Sequence, residues 1–123
     1  MDFKKPENNA KYYWTRHSLM KMQFYGLSAS RVIRILRHPK RIEKGIAPKT
    51  VAGMQPAGSK KNPMEIWVMY QERGQKNKKK DIFNPDQKVI ISAWRYPGVS
   101  PKNKPIKIPD EVLIDLESAL QEV

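Results

Sequence analysis

Two stretches of this chain keep apolar residues on both faces of an extended backbone, and they narrow the fold more than any other feature. In residues 65–72 a period of two puts Ile66, Val68 and Tyr70 on one face and Trp67 and Met69 on the other. That pattern is a central strand covered on two sides. Residues 88–96 carry the strongest strand signal. Val89, Ile91, Ala93 and Arg95 face one way; Lys88, Ile90, Ser92, Trp94 and Tyr96 face the other. Pro97, Gly98 and Pro101 end it.

Shorter strands are expected at 41–46 and 50–55, with a turn at 45–49 and a Gly/Ser/Lys loop at 57–63. Residues 73–87 read as a long mobile loop carrying Lys78, Lys79 and Lys80. Ahead of the strands stand two helices. The first spans 12–25, with Thr15 as N-cap or with Tyr12 to Trp14 already helical, and Gly26 stops it in a left-handed conformation. Ser28 caps the second, residues 29–38, which Pro39 closes. A last helix at 110–123 places Val112, Leu113, Leu116, Leu120 and Val123 on one face.

The order helix, helix, four strands, helix implies an antiparallel α+β domain, not a βαβ fold. The expected organisation is a flexible arm at 1–11, one α+β domain at 12–101, and a Pro/Lys linker with an acidic amphipathic helix at 102–123. A chain of 123 residues supports one modest core. It lacks cysteine, which excludes disulfides, thiolate zinc sites and a cysteine nucleophile. No apolar run approaches the ~20 residues of a membrane span, and the polar start lacks a secretory signal. A cytoplasmic protein without membrane contact is the expectation.

Charge narrows the partner. Lys plus Arg number 24 against 12 Asp plus Glu, a net of +12. Residues 110–123 hold five acids and no base, which leaves 24 basic against 7 acidic side chains, a net of +17, in residues 1–109. Such a body attracts polyanions, and nucleic acid is the commonest in cytosol. On the second helix Val32, Ile33, Ile35 and Leu36 share one broad face, while Arg31, Arg34 and Arg37 recur at i, i+3 and i+6 on the other. Three arginines without an intervening acid form either a solvated face or a phosphate-facing stripe. The nucleic-acid-binding candidates are Arg16, Arg31, Arg34, Arg37, Arg41 and the loop residues Lys78, Lys79 and Lys80.

Standard chemistries are missing from the sequence: no phosphate-binding glycine loop, no H-E-x-x-H and no G-x-S-x-G occurs. Few carboxylates are left to converge on a metal, so neither a metal nor a cofactor is expected. Metal-free chemistry points to His17, one helical turn before Lys21. A neighbouring ammonium lowers the imidazole pKa and keeps it fit to accept a proton. The alternative is a histidine packed beside Met20 and Phe24 and bonded to a carbonyl. Arg95 and Tyr96 are further candidates, one to stabilise phosphate charge and one to stack a base, or else they are ordinary residues of a packed strand. His38, at the end of the second helix, reads as structural.

From His17 the pattern resembles a known family. His17, Lys21, Met22, Tyr25, Gly26, Leu27 and Ser28 are similar to the opening helix of the domain-of-unknown-function family 4258. That family shows a histidine, a basic residue four on, a methionine five on, then Arg-Gly-Ile and a helix-capping residue. The next helix ending in a proline, and the strand Val89 to Arg95, also fit. The resemblance covers roughly residues 13 to 96. It departs at Tyr25, which stands where the family has arginine, so either the activity is lost in this chain or Arg16 or Arg95 supplies that charge.

The family is grouped with the barnase–EndoU–colicin–RelE superfamily of small metal-independent ribonucleases, many of them toxins. The resemblance implies helices on a curved four-stranded antiparallel sheet. It also implies RNA cleavage by 2′-hydroxyl attack, with His17 as acid or base, Lys21 and Arg95 steadying phosphate, Tyr96 positioning substrate, and a possible inhibitory protein partner. Two other readings stand beside it. One is a non-catalytic nucleic-acid-binding module. The other is a protein-interaction domain whose acidic C-terminal helix docks on a basic groove, its own or a neighbour's.

Overall fold

The computed structural model describes residues 3–72 and 87–122. Lys78, Lys79, Lys80 and Val123 lie outside the described residues, and so does nearly all of the expected 73–87 loop. In chain order the elements are β1 (Tyr12–Trp14), α1 (Arg16–Tyr25), α2 (Ala29–Arg37), β2 (Arg41–Lys44), β3 (Thr50–Gly58), β4 (Pro63–Glu72), β5 (Lys88–Pro97) and α3 (Asp110–Glu122).

The class is α+β, but the sheet is five-stranded and mixed, which corrects the expected four antiparallel strands. Its order is β1-β5-β4-β3-β2. Strands β2 to β5 form an antiparallel meander, while β1 adds in parallel to β5, pairing Tyr12 with Lys88 and Trp14 with Ile90. Three residues are too few for periodicity to separate a strand from a first helical turn. Side chains upstream decide it. Asn8 Oδ1 accepts the Trp14 N–H at 2.6 Å, and Asn9 Oδ1 accepts those of Lys11 and Tyr12 at 2.8 and 2.9 Å. Aromatic residues also suit the half-buried pleat. Thr15 then turns the chain, and its hydroxyl caps α1 by accepting the Ser18 N–H.

Helices cover both faces of the sheet. On one, Met22, Leu27, Val32 and Ile35 of the α1–α2 pair pack with Ile66, Val68, Tyr70, Ile90 and Ala93. On the other, Val112, Leu116 and Ala119 of α3 pack with Trp67, Met69, Ile91 and Trp94. The two indoles stack with centroids 6.4 Å apart. Full burial of Val112 and Leu116 is worth roughly 1.5–3 kcal/mol each, so α3 is an integral layer of the core. Leu113, expected on its apolar face, is exposed.

A β-bulge breaks the expected alternation of β5. Met69 pairs with Ser92 and Tyr70 with Ile90, leaving Ile91 as the extra residue. Ile90 therefore packs with Ala93 under α1 and α2, and Ile91 packs with Trp94 under α3. The strict two-face division read from the sequence fails at this step.

Candidate functional site

The bulge sets the environment of His17. Thr15 Oγ1 lies 2.8 Å from the carbonyl of Ile90 and 3.1 Å from that of Ile91, so the start of α1 is fastened to the irregular step. Two residues on, His17 Nε2 meets Ser92 Oγ at 2.8 Å. The pair has the composition of a nucleophile and its base, but both groups are enclosed. His17 is 5% exposed and Ser92 0%. His17 Nδ1 is buried without a hydrogen-bond partner, so either neutral tautomer leaves one ring nitrogen bare. Burial is the main cause of a lowered imidazole pKa, and the nearby Lys21 ammonium lowers it further; Asp115 opposes both.

Helix α3 is what encloses this chamber. Lys21, 7% exposed, donates to the Glu111 carbonyl at 2.7 Å and lies 3.9 Å from Asp115 Oδ2. Tyr25 OH donates to Glu111 Oε1. That bond holds the Glu111 carboxyl below the usual carboxylate range, while burial, followed by the same bond, pushes the Tyr25 phenol up. At the other end Glu122 Oε1 accepts the Arg16 N–H at 3.0 Å, and Tyr13 OH reaches Oε2 at 3.3 Å. The first turn of α1 contains no acid of its own, so Glu122 supplies negative charge at that helix N-terminus. A cleft of about 630 Å³ opens beside His17, but Asp115 and Glu122 line it together with Arg16. It is not a purely cationic hollow.

The four candidates for chemistry do not converge. His17 and Lys21 share one wall. Arg95 Nε instead donates to the Tyr25 carbonyl at 2.8 Å, and Nη2 approaches the Gly26 carbonyl at 3.5 Å, so the guanidinium holds the C-terminus of α1. From His17 to Tyr25 is about 12 Å along a helix axis. Tyr96 is half-buried and packs against the core beneath α3.

The candidates for nucleic-acid contact divide in two. Arg34 and Arg37 stand exposed on α2 with Arg31 half-buried beside them. None of the three side chains meets an acidic group among the described residues. Arg16 is exposed at the start of α1.

Arg41 is different, with only 12% of its side chain exposed. Its Nε and Nη2 donate to Glu43 Oε2 at 3.1 and 2.9 Å, and Nη1 donates to Ser100 Oγ at 2.8 Å. The same Nη1 lies 3.8 Å from the buried Glu65 carboxylate, which also accepts from Trp67 Nε1 and Ser100 Oγ. The guanidinium rests over the Trp67 ring, 5.1 Å from its centroid. Sequence reasoning missed this network; the one local signal was Arg41 and Glu43 two apart on a strand. It also missed Ser92 as the partner of His17, because a bulge leaves no mark in a periodic pattern.

Among the described residues no group of three or more His, Cys, Asp or Glu side chains is placed to hold a metal ion. No described helix is long and apolar enough to cross a membrane. Comparison with protein-family models, with curated proteins and with solved structures finds no match for this chain.

Proposed function

We propose that this protein is a nucleic-acid-binding module that grips phosphates with the outer face of α2. One contrast carries the reading. Lys21, Arg41 and Arg95 are engaged by carbonyls or carboxylates of the fold, whereas Arg31, Arg34 and Arg37 form a line free of acidic partners. Successive members are about 4.5 Å apart along the axis, and arginine's planar fork suits phosphate oxygens. The net charge of +12 adds long-range attraction.

The test is fluorescence anisotropy of a labelled oligonucleotide across a salt series. Binding should weaken steeply with salt. Replacing Arg34 and Arg37 together by alanine should weaken it further and lower the slope of log K against log salt by about 2. A slope unchanged in the double variant removes α2 from the interface.

RNA cleavage is the second reading, favoured by the His17–Ser92 pair with its bare Nδ1. His17 lines the cleft beside α3, while Ser92 behind it is fully buried. Cleavage in chelator that disappears in a folded His17→Ala variant supports it, and cleavage that persists in that variant removes it.

A further inference from the structure

The face of the sheet beneath α3 is not covered along its whole width. Helix α3 lies chiefly against β5 and α1. Toward β2 and β3 a groove of about 530 Å³ is left open, within the range of small-molecule sites, roughly 300–1,000 Å³. Met54, Pro56 and Met64 form apolar walls, and Arg41 lines it as well. Lys40, Lys60 and Lys102 stand exposed around the rim.

The chemistry of this groove is that of one unpaired nucleotide. Arg41 is no hand for phosphate, because Glu43 and Glu65 already balance its charge. One face of its planar guanidinium lies on the Trp67 ring, and the side chain lines the groove. Bases splayed out of a strand stack on such planes. The three rim lysines supply the charge that flanking phosphates need. Lys40 stands just past the α2 cap at His38, at the start of β2, and brings a cation to the rim from that side.

We infer that this groove takes a single unpaired base of a nucleic-acid strand, laid over Arg41, with the adjoining phosphates on Lys40, Lys60 and Lys102. The inference deepens the reading of the protein as a nucleic-acid-binding module and rests on it for the class of ligand. It makes the protein selective for single strands, because a paired base stays stacked within its duplex.

The experiment compares a labelled single strand with a duplex of the same sequence, using the wild type and Val99→Trp. Val99 lines the groove and is 69% exposed, so an indole there obstructs the space without removing charge or core. The wild type should prefer the single strand by about tenfold, the scale of one stacked base. Val99→Trp should abolish that preference and leave duplex binding in place.

A second arm titrates a nucleoside monophosphate while following the Trp67 indole N–H and the Met54 and Met64 methyl resonances. Those signals should move in the wild type and stay still in Val99→Trp. Equal loss for strand and duplex, or still signals in the wild type, overturns the inference. Signals that move while the Arg34/Arg37 variant binds oligonucleotide normally would instead remove the α2 reading and keep the groove.

Discussion

His17 Nε2 and Ser92 Oγ stand 2.8 Å apart because β5 carries one residue more than β4 at that point. The bulge places Ile91 with the core under α3 and sets Ser92, opposite Met69, within reach of α1. Thr15 binds the bulge carbonyls and caps the helix that carries His17. A fault in one strand, a cap and a titratable side chain are thus parts of one arrangement.

That arrangement makes stability depend on pH. Burial, helped by Lys21, lowers the His17 pKa in the folded protein, while the unfolded chain keeps an ordinary value of about 6.5. Above that value both states are neutral at this site, and stability is fully present. As pH falls through it, the unfolded chain takes up a proton that the native state resists, and stability declines until the folded pKa is reached. Urea unfolding between pH 7.5 and 5 should show the decline, and His17→Gln should flatten it. Equal slopes in the two proteins would show that His17 does not titrate as its surroundings require. The Glu111 carboxyl, also lowered, acts in a more acidic window, below the ordinary carboxylate value.

Thr15 offers a separate handle. Its hydroxyl serves the Ser18 N–H and the carbonyls of the bulge, and it is fully buried. Thr15→Val keeps the shape and removes those bonds. The loss should be about 1–3 kcal/mol, with hydrogen exchange accelerated in the first turn of α1 and at Ile91. A change below a few tenths would mean that the cap contributes little.

Much of this structure is legible in the residues themselves. Gly26 and Ser28 mark the junction of α1 and α2, and the paired faces of 65–72 foretell a strand enclosed by helices. Gly26 does adopt φ 67°. What escapes is long-range. Tyr12 to Trp14 become a strand through the Asn8 and Asn9 side chains and through the edge that β5 offers 75 or so residues later. Arg41 reads as a free cation until Glu65 and Ser100 are brought to it by two other segments. The i, i+4 relation of His17 and Lys21 is local and stands. The addition of Arg95 to that pair required knowing which end of α1 it would meet.

Glu122 tests whether the clasp between α1 and α3 is more than packing. Its carboxylate accepts the Arg16 N–H at the N-terminus of α1. Glu122→Gln keeps a hydrogen-bonding oxygen but removes the charge. Stability should fall by roughly 0.3–1 kcal/mol, the scale of one helix-dipole contact, and the difference should shrink in high salt. A loss insensitive to salt would assign the effect to shape alone.

The Arg41–Glu65 contact permits a sharper test, because buried ion pairs fail asymmetrically. Arg41→Met removes the cation and leaves the Glu65 carboxylate, 2% exposed, with Trp67 and Ser100 as its hydrogen-bond donors. An uncompensated buried charge costs about 3–5 kcal/mol. Glu65→Gln in the same background removes that charge while keeping an acceptor for Trp67 and Ser100, so it should recover most of the loss. Denaturant midpoints of the two single variants, the double variant and the wild type give the coupling directly. If Arg41→Met alone is as stable as the wild type, the guanidinium is not what keeps Glu65 buried. The contact would then be an accident of two side chains sharing a groove, with Glu43 and Ser100 as the partners that hold Arg41 in place.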